Sequence, residues 1–246
     1  MRIPLSSEYL NARFKYCNKK LAGLPLITRG VHRGCKVIRI RQHIDGGKCK
    51  VKELRYTSKN LSKLNDIELL RKQLTEEIAM LMNTEGVDPQ ASVKIKASRG
   101  GSYNGDFYRS LTGELNTQKN TTDYFHKGIH MRSRAEMMVA EVLGELNLKY
   151  KYEPAVDVNG VIYYPDFVVY IEAIDCCFFV EVMGMTDDYK YMVNSIAKLN
   201  DYANAGIHIN KNLLLITSTA TYVPDFDDIY NSIVNLVNLT AWRVLV

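Results

Sequence analysis

The sequence predicts a mixed α/β (α+β) protein in two parts, and three observations support this prediction. Residues 33–57 alternate apolar and polar side chains on both sides of Asp45-Gly46-Gly47, a pattern typical of a β-hairpin. Residues 64–83 repeat apolar side chains at helical spacing, which predicts one amphipathic helix. Beyond residue 123 the patterns predict elements in the order α-β-β-β-α-β-α.

The elements of the second half have distinct start and stop signals. Ser133 and Glu136 form an S-x-x-E capping box in front of an apolar stripe, and Gly206 ends a later helix. Asn159-Gly160 is the strongest short signal for a hairpin turn. The predicted helices cover Ser133–Asn147, Asp187–Ala205 and Asp227–Asn238, and the predicted strands cover Lys149–Val158, Val161–Ile171, Cys176–Met183 and Asn212–Ser218.

The boundary between the two parts is predicted near residue 123. Residues 97–122 are rich in Gly, Ser, Asn and Thr and show no sustained hydrophobic period, as expected of a loop or linker. We therefore expect an N-terminal domain over residues 1–122, with the hairpin and one helix, and a second domain over residues 123–246.

Charge is divided unequally along the chain. Residues 1–120 contain 23 Lys and Arg against 11 Asp and Glu, a net charge of +12, whereas residues 121–246 contain 9 against 16, a net charge of −7. A basic first half favours a nucleic-acid partner. A solvated basic surface with no partner explains the same numbers equally well.

The composition predicts a cytoplasmic protein. The five cysteines form no C-x-x-C pair, which is typical of buried thiols in a reducing compartment and argues against a disulfide framework. No stretch approaches the ~20 apolar residues that a membrane-spanning helix needs. The N-terminal residues contain no apolar signal-peptide core.

Two carboxylates in residues 163–185 are the strongest functional signal. Asp166 follows Pro165, which cannot donate to a strand ladder and so marks a strand edge or distortion. Glu181 lies within the apolar run FFVEVM, where a Glu needs a partner. If the two strands pair, the carboxylates repel each other unless a cation lies between them, and oxygen ligands favour Mg²⁺ or Mn²⁺. A turn Asp that only accepts backbone hydrogen bonds is the simpler alternative for Asp166.

The second half resembles a known family in several spaced motifs. The order α-β-β-β-α-β, with Pro165-Asp166 and then Glu181 on the next strand, resembles the restriction-endonuclease-like PD-(D/E)XK nuclease superfamily. Within it, the chain is most similar to a phage- and mobile-element-associated branch with an R-S-[KR]-x-E helix entry and an E-x-x-G-M-x-D-D segment. These motifs match residues 132–136 and 181–188, and Tyr191, Lys198 and Tyr202 follow down the helix.

The resemblance implies metal-dependent hydrolysis of a phosphodiester. Asp166, Glu181 and the backbone carbonyl of Val182 would hold Mg²⁺ or Mn²⁺. Glu136 would complete this site from the first helix, although its place in the capping box explains it at least as well.

The sequence departs from the family pattern at Met183, where the superfamily has a lysine. Lys198 is the expected substitute, because it shares a helix face with Tyr202 four residues later. Lys190 is a second candidate near the helix start, but a solvated surface lysine is the better interpretation of it. For Lys198 the resemblance favours function, because its spacing from Glu181 fits the resembling family.

Two functions follow from these observations. The first is a nuclease acting on nucleic acid, with DNA as the expected substrate and the basic first half gripping the phosphate backbone. The second is a nuclease-like protein that binds nucleic acid or a protein partner without cutting, which Met183 favours because fold alone does not establish activity. A structural or regulatory protein of a mobile element is a third, weaker alternative.

Overall fold

A computed structural model of the chain describes residues 1–44, 48–96, 102–114, 116, 122–184 and 186–245. Over these residues the chain is a mixed α/β protein with six α-helices and four small β-sheets. It forms two compact units. The N-terminal unit is Leu10–Val93, and the C-terminal unit combines Met1–Tyr9 with Lys94–Val246. None of the helices in the described ranges is both long enough and apolar enough to cross a bilayer.

This division falls about thirty residues before the predicted boundary near residue 123. Part of the predicted linker is a short helix, α3 (Gly105–Ser110), which begins at an Asn104 cap. The Tyr103 ring lies edge-on to Phe107 and to Phe179, with centroids 4.9 Å apart in both pairs. The backbone N–H of Cys177 donates to the carbonyl of Tyr103 at 2.8 Å. Aromatic packing therefore joins this polar segment to the C-terminal unit.

The N-terminal unit contains a three-stranded antiparallel sheet in the order β1-β2-β3. The predicted hairpin strands and the predicted helix are confirmed, and the hairpin turn at residues 45–47 lies outside the described residues. Strand β1 and helix α1 were not predicted. The elements are α1 (Ser7–Gly23, most of which belongs to this unit), β1 (Leu26–His32), β2 (Cys35–Ile44), β3 (Lys48–Arg55) and α2 (Ser58–Met82).

The C-terminal unit is built around a four-stranded sheet in the order β11-β10-β9-β6. Strands β10 and β11 are parallel, and the β10–β9 and β9–β6 pairs are antiparallel. The sheet strands are β6 (Lys149–Tyr152), β9 (Phe167–Ile171), β10 (Cys176–Met183) and β11 (Leu213–Thr217). The remaining elements are the hairpin strands β4 (Tyr124–His126), β5 (Ile129–Met131), β7 (Val156–Val158) and β8 (Val161–Tyr163), and the helices α4 (Arg134–Glu145), α5 (Tyr189–Asn204) and α6 (Phe226–Leu245).

Two predicted strands are each divided into two. The predicted strand Lys149–Val158 breaks where Glu153 adopts a φ of 42° before Pro154, a backbone conformation that no strand continues. The predicted strand Val161–Ile171 breaks at Pro165, which has no N–H for a ladder. The pieces β7 and β8 instead form a separate hairpin with positive φ at Asn159 and Gly160, as the Asn-Gly signal predicts.

One face of the four-stranded sheet is covered by α5. Phe179 and Val168, on neighbouring strands, belong to the same buried cluster as Tyr202 near the end of α5. Helices α4 and α6 pack against each other elsewhere in this unit. The sheet therefore supplies a rigid base for any side chain that lies at the end of β9 or β10.

Candidate functional site

The two predicted carboxylates lie opposite each other at the end of the β9–β10 ladder. The antiparallel register pairs Phe167 with Val180. The next pair along this register is Asp166 with Glu181, on the face that carries Val168 and Phe179, because alternate strand residues share a face. The structure thus brings Asp166 and Glu181 together beneath α5.

Pro165 changes the backbone at this point. One step further in the register Val182 stands opposite Pro165, which has no N–H to offer the Val182 carbonyl. The Val182 N–H donates to Oδ2 of Asp166 at 2.6 Å. The Asp166 side chain is thus held beside Val182, whose carbonyl faces a residue that cannot donate to it.

Glu181 is buried, and both of its carboxylate oxygens accept hydrogen bonds from α5. Its residue exposure is only 6%. Oε2 accepts from the ammonium of Lys198 at 2.7 Å, and Oε1 accepts from the hydroxyl of Tyr202 at 2.7 Å. Charge-assisted bonds of this length stabilise the ionised carboxylate. They also hold the carboxylate in one orientation.

Helix α5 brings these two donors to Glu181 because both lie on the same side of the helix. Lys198 and Tyr202 are four residues apart and share the face that packs on the sheet. The first turn of the helix is fixed by Asp188, whose side chain accepts from the N–H of Tyr191 at 2.8 Å. Tyr202 is fully buried, whereas the Lys198 side chain keeps 27% of its exposure.

A cavity of about 340 Å³ opens beside this cluster. Its lining includes Glu181 from the sheet and Lys198, Ser195 and Tyr191 from α5. Met183 also lines it, so the position two residues after Glu181 contributes a buried thioether. The cavity gives a ligand access to Glu181 and to the ammonium of Lys198.

The electrostatics of the carboxylates are unfavourable without a cation. Although part of residue Asp166 is accessible, its carboxyl group is enclosed by protein, and burial followed by the charges of Glu181 and Glu136 raises its pKa well above the usual value. Burial also raises the pKa of Glu181, against the lowering effects of Lys198 and the Tyr202 hydroxyl. The ammonium of Lys198 therefore acts on the carboxyl groups of both Asp166 and Glu181.

Glu136 lies at the edge of this cluster and has partners of its own. It is buried, and its Oε2 accepts from the N–H of Arg132 at 2.9 Å and from the hydroxyl of Tyr152 at 2.7 Å. The Glu136 N–H in turn donates to Oγ of Ser133 at 3.1 Å, as the capping box predicts. Its side chain thus fixes the start of α4, and its charge is felt at Asp166 and Glu181.

The other candidate lysine lies away from the cluster. Lys190 is exposed in the first turn of α5 and does not line the cavity. The neighbouring acids have local partners, since Asp188 caps α5 and Oδ2 of Asp187 accepts from the N–H of Ala220 at 3.1 Å. Met185, the last residue of the E-x-x-G-M motif, lies outside the described residues.

A second polar group next to the site was not predicted. Glu153 is buried and accepts from Nε of Arg132 and from Nδ2 of Asn116, and its own N–H donates to the carbonyl of Asp166 at 3.0 Å. A buried Glu before a proline was the available signal, because such a residue needs partners. This network supports the backbone on the β6 side of Asp166.

The donor atoms at this point fit a hard divalent cation. Two carboxylates and the Val182 carbonyl are oxygen ligands of the kind that Mg²⁺ and Mn²⁺ prefer. Burial, followed by the charges of Glu181 and Glu136, raises the pKa of Asp166, and a bound cation would favour its ionised form. In the part of the chain that the structure describes, no group of three or more His, Cys, Asp or Glu side chains is arranged to hold a metal ion. A cation here would therefore use the carbonyl and water besides the two carboxylates.

Comparisons with known proteins give no further guide to the site. No protein-family model, no curated protein and no solved structure was found to match the chain.

Proposed function

We propose that the C-terminal unit is a metal-dependent nuclease of the PD-(D/E)XK type that hydrolyses phosphodiester bonds in DNA. The observation that carries this proposal is the 2.7 Å contact of the Lys198 ammonium with Glu181, next to Asp166 and at the edge of a cavity. A carboxylate and an ammonium at the opening, with a second carboxylate beside them, are the groups that this chemistry requires.

The arrangement of the sheet supports the same proposal. Helix α4 precedes three antiparallel strands, β6, β9 and β10, and α5 then leads to the parallel strand β11. This is the α-β-β-β-α-β order that the resemblance implies, with the β7–β8 hairpin inserted after β6. We propose a restriction-endonuclease-like core on this basis.

Each residue has a defined part in the proposed reaction. Mg²⁺ or Mn²⁺ held by Asp166, Glu181 and the Val182 carbonyl would polarise the phosphate and lower the pKa of a water molecule. Lys198 places positive charge where negative charge develops on the phosphate. Tyr202 holds the second oxygen of Glu181, so that the carboxylate keeps one orientation.

A second candidate function is binding without cleavage. Both oxygens of Glu181 already accept hydrogen bonds, and Met183 cannot orient a water or stabilise a phosphorane. These two observations favour a nuclease-like protein that binds nucleic acid or a protein partner through the same unit.

Metal-dependent cleavage tests the first function against the second. Wild type, Asp166→Asn and Glu181→Gln are incubated with linear, nicked and single-stranded DNA in Mg²⁺, Mn²⁺ or EDTA. The nuclease proposal predicts that wild type cuts only with metal and that both variants are inactive. Wild type that binds DNA but cuts none of these substrates supports the second function.

A further inference from the structure

The sheet of the N-terminal unit has one covered face and one open face. On the covered face Ile38 is buried, and Arg29, which the register places beside it, forms a two-bond ion pair with Glu68 of α2 at 2.7 and 2.6 Å. Leu64 of α2 is also buried. Helix α2 therefore covers this side of β1 and β2.

The open face is exposed and rich in arginine. Its residues alternate along each strand with those of the covered face. Among the residues of the open face whose burial the structure describes, Val37 is buried, Gly30 is half-buried and the others are exposed. The exposed positions include Thr28 on β1, Arg39 and Arg41 on β2, and Val51 and Arg55 on β3.

Positive charge on this face is incompletely paired. The guanidinium groups of Arg41 and Arg55 make no hydrogen bond or ion pair with any residue that the structure describes. The carboxylate of Glu53 is shared by Arg39, whose Nε lies 3.0 Å away, and by Nδ1 of His32 at 2.5 Å. On this face Arg39, Arg41 and Arg55 stand with the carboxylate of Glu53, a net charge of +2 (3 − 1) among its described Lys, Arg, Asp and Glu. Two guanidinium groups are thus available to an anion.

The strands extend beyond the three-stranded part as a ribbon. Pairing of β1 with β2 ends at Leu26 and Arg41, whereas pairing of β2 with β3 continues to Ile44 and Lys48. A two-stranded ribbon is narrow enough to enter the major groove of B-DNA, which is about 12 Å wide. Arg41, paired with Val51, lies on the open face at the point where this ribbon begins.

We propose that the open face of this sheet is a docking surface for duplex DNA. Arg41 and Arg55 contact the phosphate backbone, because guanidinium groups that have no partner among the described residues are complementary to closely spaced phosphates. The surface is separate from the Asp166–Glu181 site, and binding to it does not require cleavage or metal.

Binding of the full chain to a fluorescein-labelled 20-base-pair duplex in EDTA, followed by anisotropy over a salt series, tests this surface. The Arg41→Gln/Arg55→Gln variant is expected to bind about 60-fold more weakly in 0.1 M salt, with the slope of log K against log salt smaller by about 1.8. The matched control is Lys36→Gln/Lys52→Gln, which removes the same charge from the opposite face of the three-stranded part. We expect that control to lose less than about 5-fold.

The charge-conserving variant Arg41→Lys/Arg55→Lys is expected to keep the wild-type salt slope. Circular dichroism checks that each variant is folded. If the double Arg→Gln variant is unfolded, either single Arg→Gln variant replaces it, and its affinity is expected to fall about 8-fold. Equal losses of affinity for the double arginine variant and the double lysine variant would overturn the proposal. It would also be overturned if wild type bound no duplex, or bound poly-glutamate more tightly than DNA. Glu181→Gln separates the two proposals, since it is expected to bind like wild type while failing to cut.

Discussion

The ammonium of Lys198 lies 2.7 Å from Oε2 of Glu181. The two residues are seventeen positions apart in sequence, Lys198 on helix α5 and Glu181 on strand β10. A lysine two positions after Glu181 would project from the same strand face, and that position is Met183. The positive charge next to the carboxylate therefore comes from α5. In the proposed nuclease, Met183 is tolerated because the helix provides what the strand lacks.

Tyr202→Phe tests how much the second contact to Glu181 contributes. The substitution keeps the ring that packs against Tyr163 and Phe179 and removes only the hydroxyl that donates to Oε1. Leaving this buried carboxylate oxygen without its partner is expected to lower the free energy of unfolding by about 1–2 kcal/mol. Urea unfolding measures this loss, and the rate of cleavage is expected to fall about 10-fold. An unchanged cleavage rate would show that the orientation of Glu181 does not depend on Tyr202.

Glu136→Gln distinguishes a metal ligand from a residue that fixes the start of α4. The amide keeps an oxygen that accepts from the Arg132 N–H and the Tyr152 hydroxyl. We therefore expect cleavage within about 10-fold of wild type, whereas Glu136→Ala is expected to cost about 2 kcal/mol of stability. A loss of cleavage as large as that of Glu181→Gln, in a fully folded Glu136→Gln, would instead make Glu136 part of the metal site.

Asp166→Asn is expected to stabilise the metal-free protein. Because the pKa of Asp166 in the folded chain is raised above its usual 3.8, the folded state binds more protons than the unfolded state as the pH rises from that value. This carboxyl group therefore makes the wild-type free energy of unfolding fall as the pH rises through the folded pKa. The variant lacks this contribution, and we expect it to be more stable than wild type at pH 7 in EDTA.

Urea unfolding from pH 4 to pH 8 measures this difference. Added Mg²⁺ is expected to stabilise wild type and not the variant, because only a cation bound to the folded state shifts the equilibrium. A variant that is less stable than wild type at pH 7 in EDTA would mean that the hydrogen bond to the Val182 N–H outweighs the repulsion.

The candidate site could be predicted because its signals are local in sequence. Glu181 in an apolar strand needs partners, and Lys198 and Tyr202 share one helix face. The Asn-Gly turn and the Ser133 cap are likewise fixed by residues within a few positions of each other. Such features depend only on the residues of one short segment of the chain.

The features that were missed depend on the wider structure. Glu153 was expected inside a strand, but its positive φ before Pro154 ends β6 and turns its side chain towards Arg132. Residues 97–122 looked like a linker by composition, yet Tyr103 packs on Phe179. In α1 the apolar residues Leu10, Phe14 and Cys17 do have helical spacing, but many charged neighbours obscure it. These features depend on packing between segments that are distant in sequence, and a local sequence pattern carries no information about that packing.

The most direct test of the central claim is cleavage by Lys198→Met compared with Lys190→Met. Both variants remove one lysine from α5 and add the same side chain, but only Lys198 contacts Glu181 and lines the cavity. With Mg²⁺ and a linear duplex at saturating concentration, Lys198→Met is expected to lose about 100- to 1000-fold in rate, as for other groups that stabilise transition-state charge. Lys190→Met is expected to cut like wild type. Equal activity of the two variants would contradict the assignment of Lys198 to the reaction.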